Sequence, residues 1–171
     1  MAHHVTVSSE IALSTMRDAV ALWYVNYGTA EDIVRAACDL LGAGLDGPSL
    51  CMLAAVSIAH AGSEVPELLE AALRDVGLAY YPPGTDAAEE AGIRAMASLV
   101  LSGVLTPRTL AEWAQAAFSC HTIDLAKPLK RLGYAYDLLD YYPDRTTDQV
   151  DADVMAEVRS LVASDSTAPG V

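Results

Sequence analysis

The stretch TAEDIVRAACDLLGAGLDGPSL, Thr29 to Leu50, decides the fold class. Thr29 followed by Asp32 three residues on is the pairing that caps a helix start, each side chain reaching the other's backbone amide. Ile33, Ala37, Leu40 and Leu41 then recur at the three-and-four spacing of one helical face, and Gly42 and Gly44 end the run. Asp46 is placed to cap the next start, and Pro48 has the fixed φ that suits a first helical turn. This predicts a helix over 48–60. The glycines of GAGLDGPS do not read as a phosphate cradle, which needs a preceding strand and usually a following lysine, and neither is there.

The same spacing extends outward in both directions. Leu13, Met16, Val20, Trp23 and Tyr27 predict a helix over 9–27 that stops at Gly28. Val65, Leu68, Leu69, Ala72, Leu73 and Val76 predict another that closes on Gly77. Pro82 and Pro83 exclude a helix from LAYYPPGTD, because they lack amide hydrogens and restrict the residues before them. Asp86 with Glu89 starts a fifth helix, carried by Ile93, Met96, Ala97, Val100 and Leu101; Thr106 before Pro107 starts a sixth, carried by Leu110, Trp113, Ala114, Ala117 and Phe118. Leu129, Leu132, Tyr136 and Leu139 give a seventh that ends at Pro143. Val150, Val154, Val158, Leu161 and Val162 give an eighth over 147–162. The expectation is an all-α fold, a compact single-domain bundle or irregular stack of about eight helices.

Composition agrees. A chain of 171 residues fits one hydrophobic core, since single domains run to roughly 100–200 residues. It is 53% hydrophobic but only 6% aromatic, and much of the apolar content is alanine and leucine, which favour helices over strands. One domain is expected over 9–163, with 1–8 and 164–171 disordered.

The formal net charge is −13. It repels phosphate backbones and anionic lipid heads, so direct binding to nucleic acid or to a membrane surface is not expected. The same charge keeps a chain soluble and steers basic partners toward it. MAHHVTVSS lacks a basic segment followed by an apolar core, and the apolar run AMASLVLSGVL over 95–105 is short of the roughly 20 residues a bilayer requires. A cytoplasmic chain is expected, and His3 and His4 carry no functional weight. Cys38, Cys51 and Cys120 are odd in number, which points to reduced thiols, expected to be buried as small apolar groups.

Thr29 to Ala54 also resembles a group of small uncharacterised helical proteins common in high-GC bacteria, whose wording is a G-x-D-[SG]-P-[SA]-L-x-x-L-A turn and helix. The matching positions are Gly44, Asp46, Gly47, Pro48, Ser49, Leu50, Leu53 and Ala54. The resemblance continues through Glu67 to Leu78 and into the Tyr- and Asp-rich closing third. It implies a helical single domain and carries no activity.

The chemistry-bearing residues gather in AYDLLDYYPD, Ala135 to Asp144. On one continuous helix Asp137, Asp140 and Asp144 would share a face, as a hard divalent cation requires of its oxygen ligands. Pro143 interrupts that row, and no other helix offers a matching carboxylate pair or Glu-x-x-His, so no metal or cofactor is expected. From Asp137 to Val171 there are eight acidic residues against two basic ones, Arg145 and Arg159, a net −6. Carboxylates this crowded are least costly in water. Tyr136 belongs to the apolar stripe. Tyr134, Tyr141 and Tyr142 fall off it, and tyrosine gives an interface a large rigid contact at small entropic cost.

Elsewhere the patterns are thin. Cys51 and His60 would lie two and a half turns apart on one helix, facing opposite ways, and cannot share a zinc. Cys120 and His121 are adjacent, and adjacent helical residues do not face each other as a nucleophile and its base must. Lys127, Lys130 and Arg131 are expected to make ion pairs with the acidic last helix. The function expected is a non-enzymatic, acidic protein-binding module: an adaptor, immunity-like inhibitor or small regulator. It would present Tyr134, Asp137, Asp140, Tyr141, Tyr142 and Asp144 to a protein with a basic surface. The alternative is an enzyme or ligand-binding protein with a pocket between helices near Cys120, His121, Asp137 and Asp140. A mimic of nucleic acid, whose carboxylates imitate phosphates, is a third reading.

Overall fold

The computed structural model describes residues 7–165; of the ends expected to be disordered, 1–6 and 166–171 lie outside the described residues, while Val7 and Ser8 belong to the first helix and Ser164 and Asp165 to the last. The chain is all-α, with eight α-helices and no strand among the described residues. They are α1 (Val7–Tyr24), α2 (Ala30–Gly42), α3 (Pro48–Ala54), α4 (Ala61–Asp75), α5 (Asp86–Leu101), α6 (Pro107–Ala117), α7 (Lys127–Asp137) and α8 (Thr147–Asp165). Short 3-10 turns occupy Ile58–His60, Asp124–Ala126 and Leu139–Tyr141. No helix among the described residues is long and apolar enough to cross a membrane. Two compact units divide the chain, Met1–Ala88 and Glu89–Val171.

In the first unit α1 packs on α2, α2 on α3 and α4, and α3 on α4. The start of α2 is the expected reciprocal cap: Asp32 N–H donates to Thr29 Oγ1 at 3.3 Å, and Thr29 N–H donates to Asp32 Oδ2 at 3.0 Å. The Thr29 hydroxyl, which donates to Asp32 Oδ2 at 2.8 Å, the Thr29 amide on the same oxygen and the neighbouring Arg35 guanidinium hold the Asp32 carboxyl below the usual carboxylate range. Ile33, Ala37 and Leu40 are fully buried as their spacing required.

The first helix differs from expectation in phase and length. Its buried stripe is Ala12, Met16, Val20 and Tyr24, whereas Leu13 and Trp23 are half-buried and Tyr27 is exposed. It ends at Tyr24 because Asn26 takes a left-handed φ of 58°, a conformation asparagine tolerates better than most residues. The amides of Tyr27 and Gly28 then close back on Leu22 O.

The helix predicted over 48–60 is two pieces. α3 stops at Ala54, Ser57 is extended at φ −65° and ψ 135°, and a 3-10 turn leads into α4. Val56 and Ser57 are weak helix formers, and the break turns Val56 inward to 7% exposure. The cap expected from Asp46 is also corrected. Asp46 Oδ1 accepts from the next amide, Gly47 N, at 2.8 Å and from the Cys51 thiol at 3.6 Å, and from neither of the free amides of α3. The free amides of α3 are taken by Asp75, at the far end of α4, whose Oδ2 accepts from Ser49 N at 2.7 Å and Leu50 N at 3.0 Å. Gly47 makes room for this carboxylate, since a Cβ there would sit 2.5 Å from Asp75 Cβ.

In the second unit α6, α7 and α8 pack pairwise against one another. Thr106 caps α6 as expected, its Oγ1 accepting from Thr109 N at 3.1 Å, with Pro107 in the first turn. Leu110, Ala111 and Ala114 of α6, Leu129 and Tyr136 of α7, and Val150, Val154, Val158 and Leu161 of α8 form the buried core. Between Leu129 and Tyr136 the contact residue is Gly133, a Cβ on which would meet Ala111 O at 2.7 Å and Gln115 Oε1 at 2.8 Å. α6 and α7 therefore cross backbone to backbone.

Candidate functional site

α7 has two faces with different fates. Leu129, Gly133 and Tyr136 point into the three-helix core. Arg131, Tyr134, Ala135 and Leu138, spaced at three and four, form a second stripe that lines a cleft of about 560 Å³. Leu139, Tyr142 and Pro143 supply its other wall, from the 3-10 turn and the bend beyond it. Asp144 and Arg145 complete the lining.

Burial of Tyr136 anchors this surface from behind. The ring is 4% exposed, its hydroxyl donates a short hydrogen bond to Asp151 of α8, and the Arg108 guanidinium of α6 lies 5.3 Å over its centroid. Desolvation, reinforced by the Asp151 carboxylate, raises the phenol above its ordinary range. Arg108 also bonds Glu112 at 2.7 Å, and that hydrogen bond raises the guanidinium further. One side chain from each of the three helices thus meets at one ring.

The residues expected to form the binding surface are all exposed. Tyr134 is 46%, Tyr141 77% and Tyr142 59% exposed, and Leu138 joins them at 45%. Asp137, Asp140 and Asp144 also face solvent, but they do not share a helical face. α7 ends at Asp137, and the chain then passes through the 3-10 turn and Pro143. Asp137 is drawn sideways instead, its Oδ2 accepting from Gln115 Nε2 at 2.9 Å. The expectation that the closing acids are all solvated needs one correction, since Asp151 is half-buried where it receives the Tyr136 hydroxyl.

The basic cluster does not pair with α8 as expected. Lys127 pairs with Asp124 one turn away and holds that carboxyl below its usual range. Lys130 Nζ donates to Phe118 O at 2.8 Å and Thr122 Oγ1 at 3.0 Å, placing its charge where the last carbonyls of α6 are exposed. Arg131 turns to the cleft and makes no ion pair or hydrogen bond among the described residues. Only Arg145, outside the cluster, reaches α8, bonding Asp153 at 2.8 Å.

Sequence reasoning missed Arg131, Leu138 and Arg145 as parts of this surface. The signal was present in the 131, 134, 135, 138 spacing, hidden because only Tyr134 and Leu138 among those four are large and apolar.

The remaining candidates are dispersed. All three cysteines are exposed, against expectation: Cys38 and Cys51 fall off the buried stripes of α2 and α3, and Cys120 lies beyond the end of α6. Cys38 Sγ lies 3.6 Å from Ala54 O, Cys51 Sγ 3.6 Å from Asp46 Oδ1, and Cys120 Sγ 3.7 Å from Ser119 Oγ. None of Cys120, His121, Asp137 and Asp140 lines the cleft. Within the second unit Glu89 and His121 bring one potential ligand atom each to within 4.8 Å of one another. Set against family models, curated proteins and solved structures, the chain finds no match.

Proposed function

We propose that this chain is a non-enzymatic protein-binding module that docks its partner on the surface of Tyr134, Asp137, Asp140, Tyr141, Tyr142 and Asp144. The observation that carries the reading is the gathering of Tyr134, Leu138 and Tyr142, all exposed, around one cleft, with the exposed Tyr141 next to Tyr142 in the chain. Large aromatic and aliphatic groups left in water beside a concavity are the usual material of binding hot spots. The buried Tyr136 cluster holds the stripe behind them in place, so little order has to be gained on binding.

Charge selects the partner. Asp144 lines the cleft and Asp137 and Asp140 are exposed in the same stretch of chain, so a segment that brings lysine or arginine alongside a bulky apolar side chain is complementary to it. The reading is tested by placing a photo-crosslinking residue at Tyr141, identifying the captured protein, and titrating that purified protein calorimetrically. Tyr134→Ala and Tyr142→Ala are each expected to weaken binding by about tenfold or more, a hot-spot loss. A captured partner that binds the two variants as tightly as the parent would overturn the assignment.

A further inference from the structure

Resting on the protein-binding reading, we propose that the cleft holds the C-terminal end of the partner chain. The last residue's apolar side chain enters between Tyr134, Leu138 and Tyr142, and its carboxylate pairs with Arg131. Two guanidinium groups line this cleft, and they differ. Arg145 is already bonded to Asp153 at 2.8 Å, while Arg131 has no ion-pair or hydrogen-bond partner among the described residues. It is a planar donor fork beside an apolar concavity, matched in geometry to a carboxylate.

The surrounding charge restricts where that carboxylate comes from. Asp144 lies in the lining and Asp140 follows the lining residue Leu139 in the chain, both exposed acids. A small free anion would meet their repulsion with nothing to offset it. A carboxylate carried on a basic chain does not, because the chain's cations meet those aspartates while its end reaches Arg131. A chain terminus is also the most economical anion here. Its carboxylate and its last side chain hang from the same Cα, so one residue supplies both the charge and the anchor within about 560 Å³. An internal acidic residue would need chain to leave the cleft on both sides.

The test uses the full chain, isotopically labelled, and three unlabelled probes followed by NMR: a peptide of alternating lysine and glycine ending in phenylalanine with a free carboxylate, the same peptide ending in a carboxamide, and N-acetylphenylalanine alone. The free-acid peptide is expected to shift the Arg131, Tyr134 and Tyr142 resonances and to bind about tenfold tighter than the amide, the size of one charge-assisted hydrogen-bonded pair. Arg131→Gln is expected to bring the free-acid peptide's affinity down to that of the amide, and Arg131→Lys to restore part of the difference. Equal binding of acid and amide, with both weakened by Tyr142→Ala, would overturn the terminal carboxylate and leave the docking surface standing. N-acetylphenylalanine binding as tightly as the free-acid peptide would overturn the chain end in favour of a small-anion site. Shifts from none of the probes would overturn the inference, and a partner crosslinked through Tyr141 would then still stand for the broader reading.

Discussion

The Asp75 carboxylate caps Leu50. Its Oδ2, at the end of α4, accepts the Leu50 amide at 3.0 Å and the Ser49 amide at 2.7 Å, so one helix end closes another 25 residues earlier in the chain. A negative charge on the first amides of a helix is favoured by the helix dipole as well as by the bonds themselves. Asp75→Ala removes both and is expected to lower stability by about 1–2 kcal/mol, the upper part of the range for cap loss. Asp46→Ala breaks one contact with the adjacent amide and should cost well under half as much. Thermal unfolding of both variants decides the order, and a larger loss from Asp46→Ala would show that the local residue is the cap.

Gly47 follows from the same contact. Its φ of 174° is extended and open to any residue, so the constraint is space, with Asp75 Cβ and Oδ2 each 2.5 Å from where a Cβ would stand. Gly47→Ala is expected to push the carboxylate off the α3 amides. The double variant Gly47→Ala with Asp75→Ala should then lose less than the sum of the singles, because the alanine at 75 has no Oδ2 to displace. Denaturant titration of the four proteins measures that coupling, and strict additivity would separate the two residues.

Gly133 and Gly62 are both helical glycines, and opposite outcomes are expected at them. A Cβ at Gly133 meets the Ala111 carbonyl at 2.7 Å, a backbone atom that cannot swing away. Gly133→Ala should therefore force α6 and α7 apart at a cost of about 1–3 kcal/mol. At Gly62 a Cβ meets nothing within 4 Å, and Gly62→Ala is expected to gain about 0.5–1 kcal/mol from reduced unfolded-state freedom and better helix propensity. Unfolding midpoints of the pair check the contrast, and a stabilised Gly133→Ala protein would mean the crossing is looser than 2.7 Å implies.

What was legible in the sequence was local. Thr29 with Asp32 and Thr106 with Pro107 stand where expected, and so do most residues of the α2, α6 and α8 stripes, all read from neighbours within one or two turns; Ala117 is exposed, and Leu41, Trp113 and Val162 are half-buried. What was misread depends on residues far away in the chain. Asp75 capping Leu50, Gly133 admitting Ala111, and Asp151 receiving Tyr136 are long-range contacts that spacing cannot announce. The binding surface was half legible for the same reason. The exposure of Tyr134, Tyr141 and Tyr142 follows from their falling off the stripe, whereas the place of Arg131 in the cleft wall depends on Tyr142, Pro143 and Arg145, which the chain brings back to it only beyond the end of α7.

Tyr24 makes the first unit sensitive to alkali. It is buried among Trp23, Tyr80 and Tyr81, and its oxygen accepts the Tyr81 amide at 2.9 Å. Burial pushes its pKa from 10.0 up to about 12, against the opposing pull of that hydrogen bond. A folded pKa raised above the unfolded one gives stability that is complete below pH 10 and lost as pH climbs through the window to about 12, because only the unfolded chain has released the proton there. Tyr24→Phe should remove that part of the alkaline decline while costing stability at neutral pH through the orphaned Tyr81 amide. Unfolding curves taken across the window test this, and identical slopes for parent and variant would assign the decline to other groups.

Tyr136 poses the same question in the second unit with a carboxylate as its partner. Its hydroxyl donates to the half-buried Asp151, and its pKa is raised first by desolvation and then by that acceptor. Tyr136→Phe keeps the ring under Arg108 and leaves Asp151 without this donor, so the expected loss at neutral pH is about 1.5–3 kcal/mol, the range for a hydrogen bond to a charged group. Above pH 10 the parent's advantage should shrink, since its unfolded chain gains by ionising a tyrosine that the variant lacks. Asp151→Asn retains an acceptor without the charge and should fall between the two. If the phenylalanine variant matches the parent at neutral pH and keeps the same alkaline slope, the Tyr136–Asp151 bond contributes nothing to holding α7 against α8, and the stripe of Arg131, Tyr134 and Leu138 is positioned by apolar packing alone.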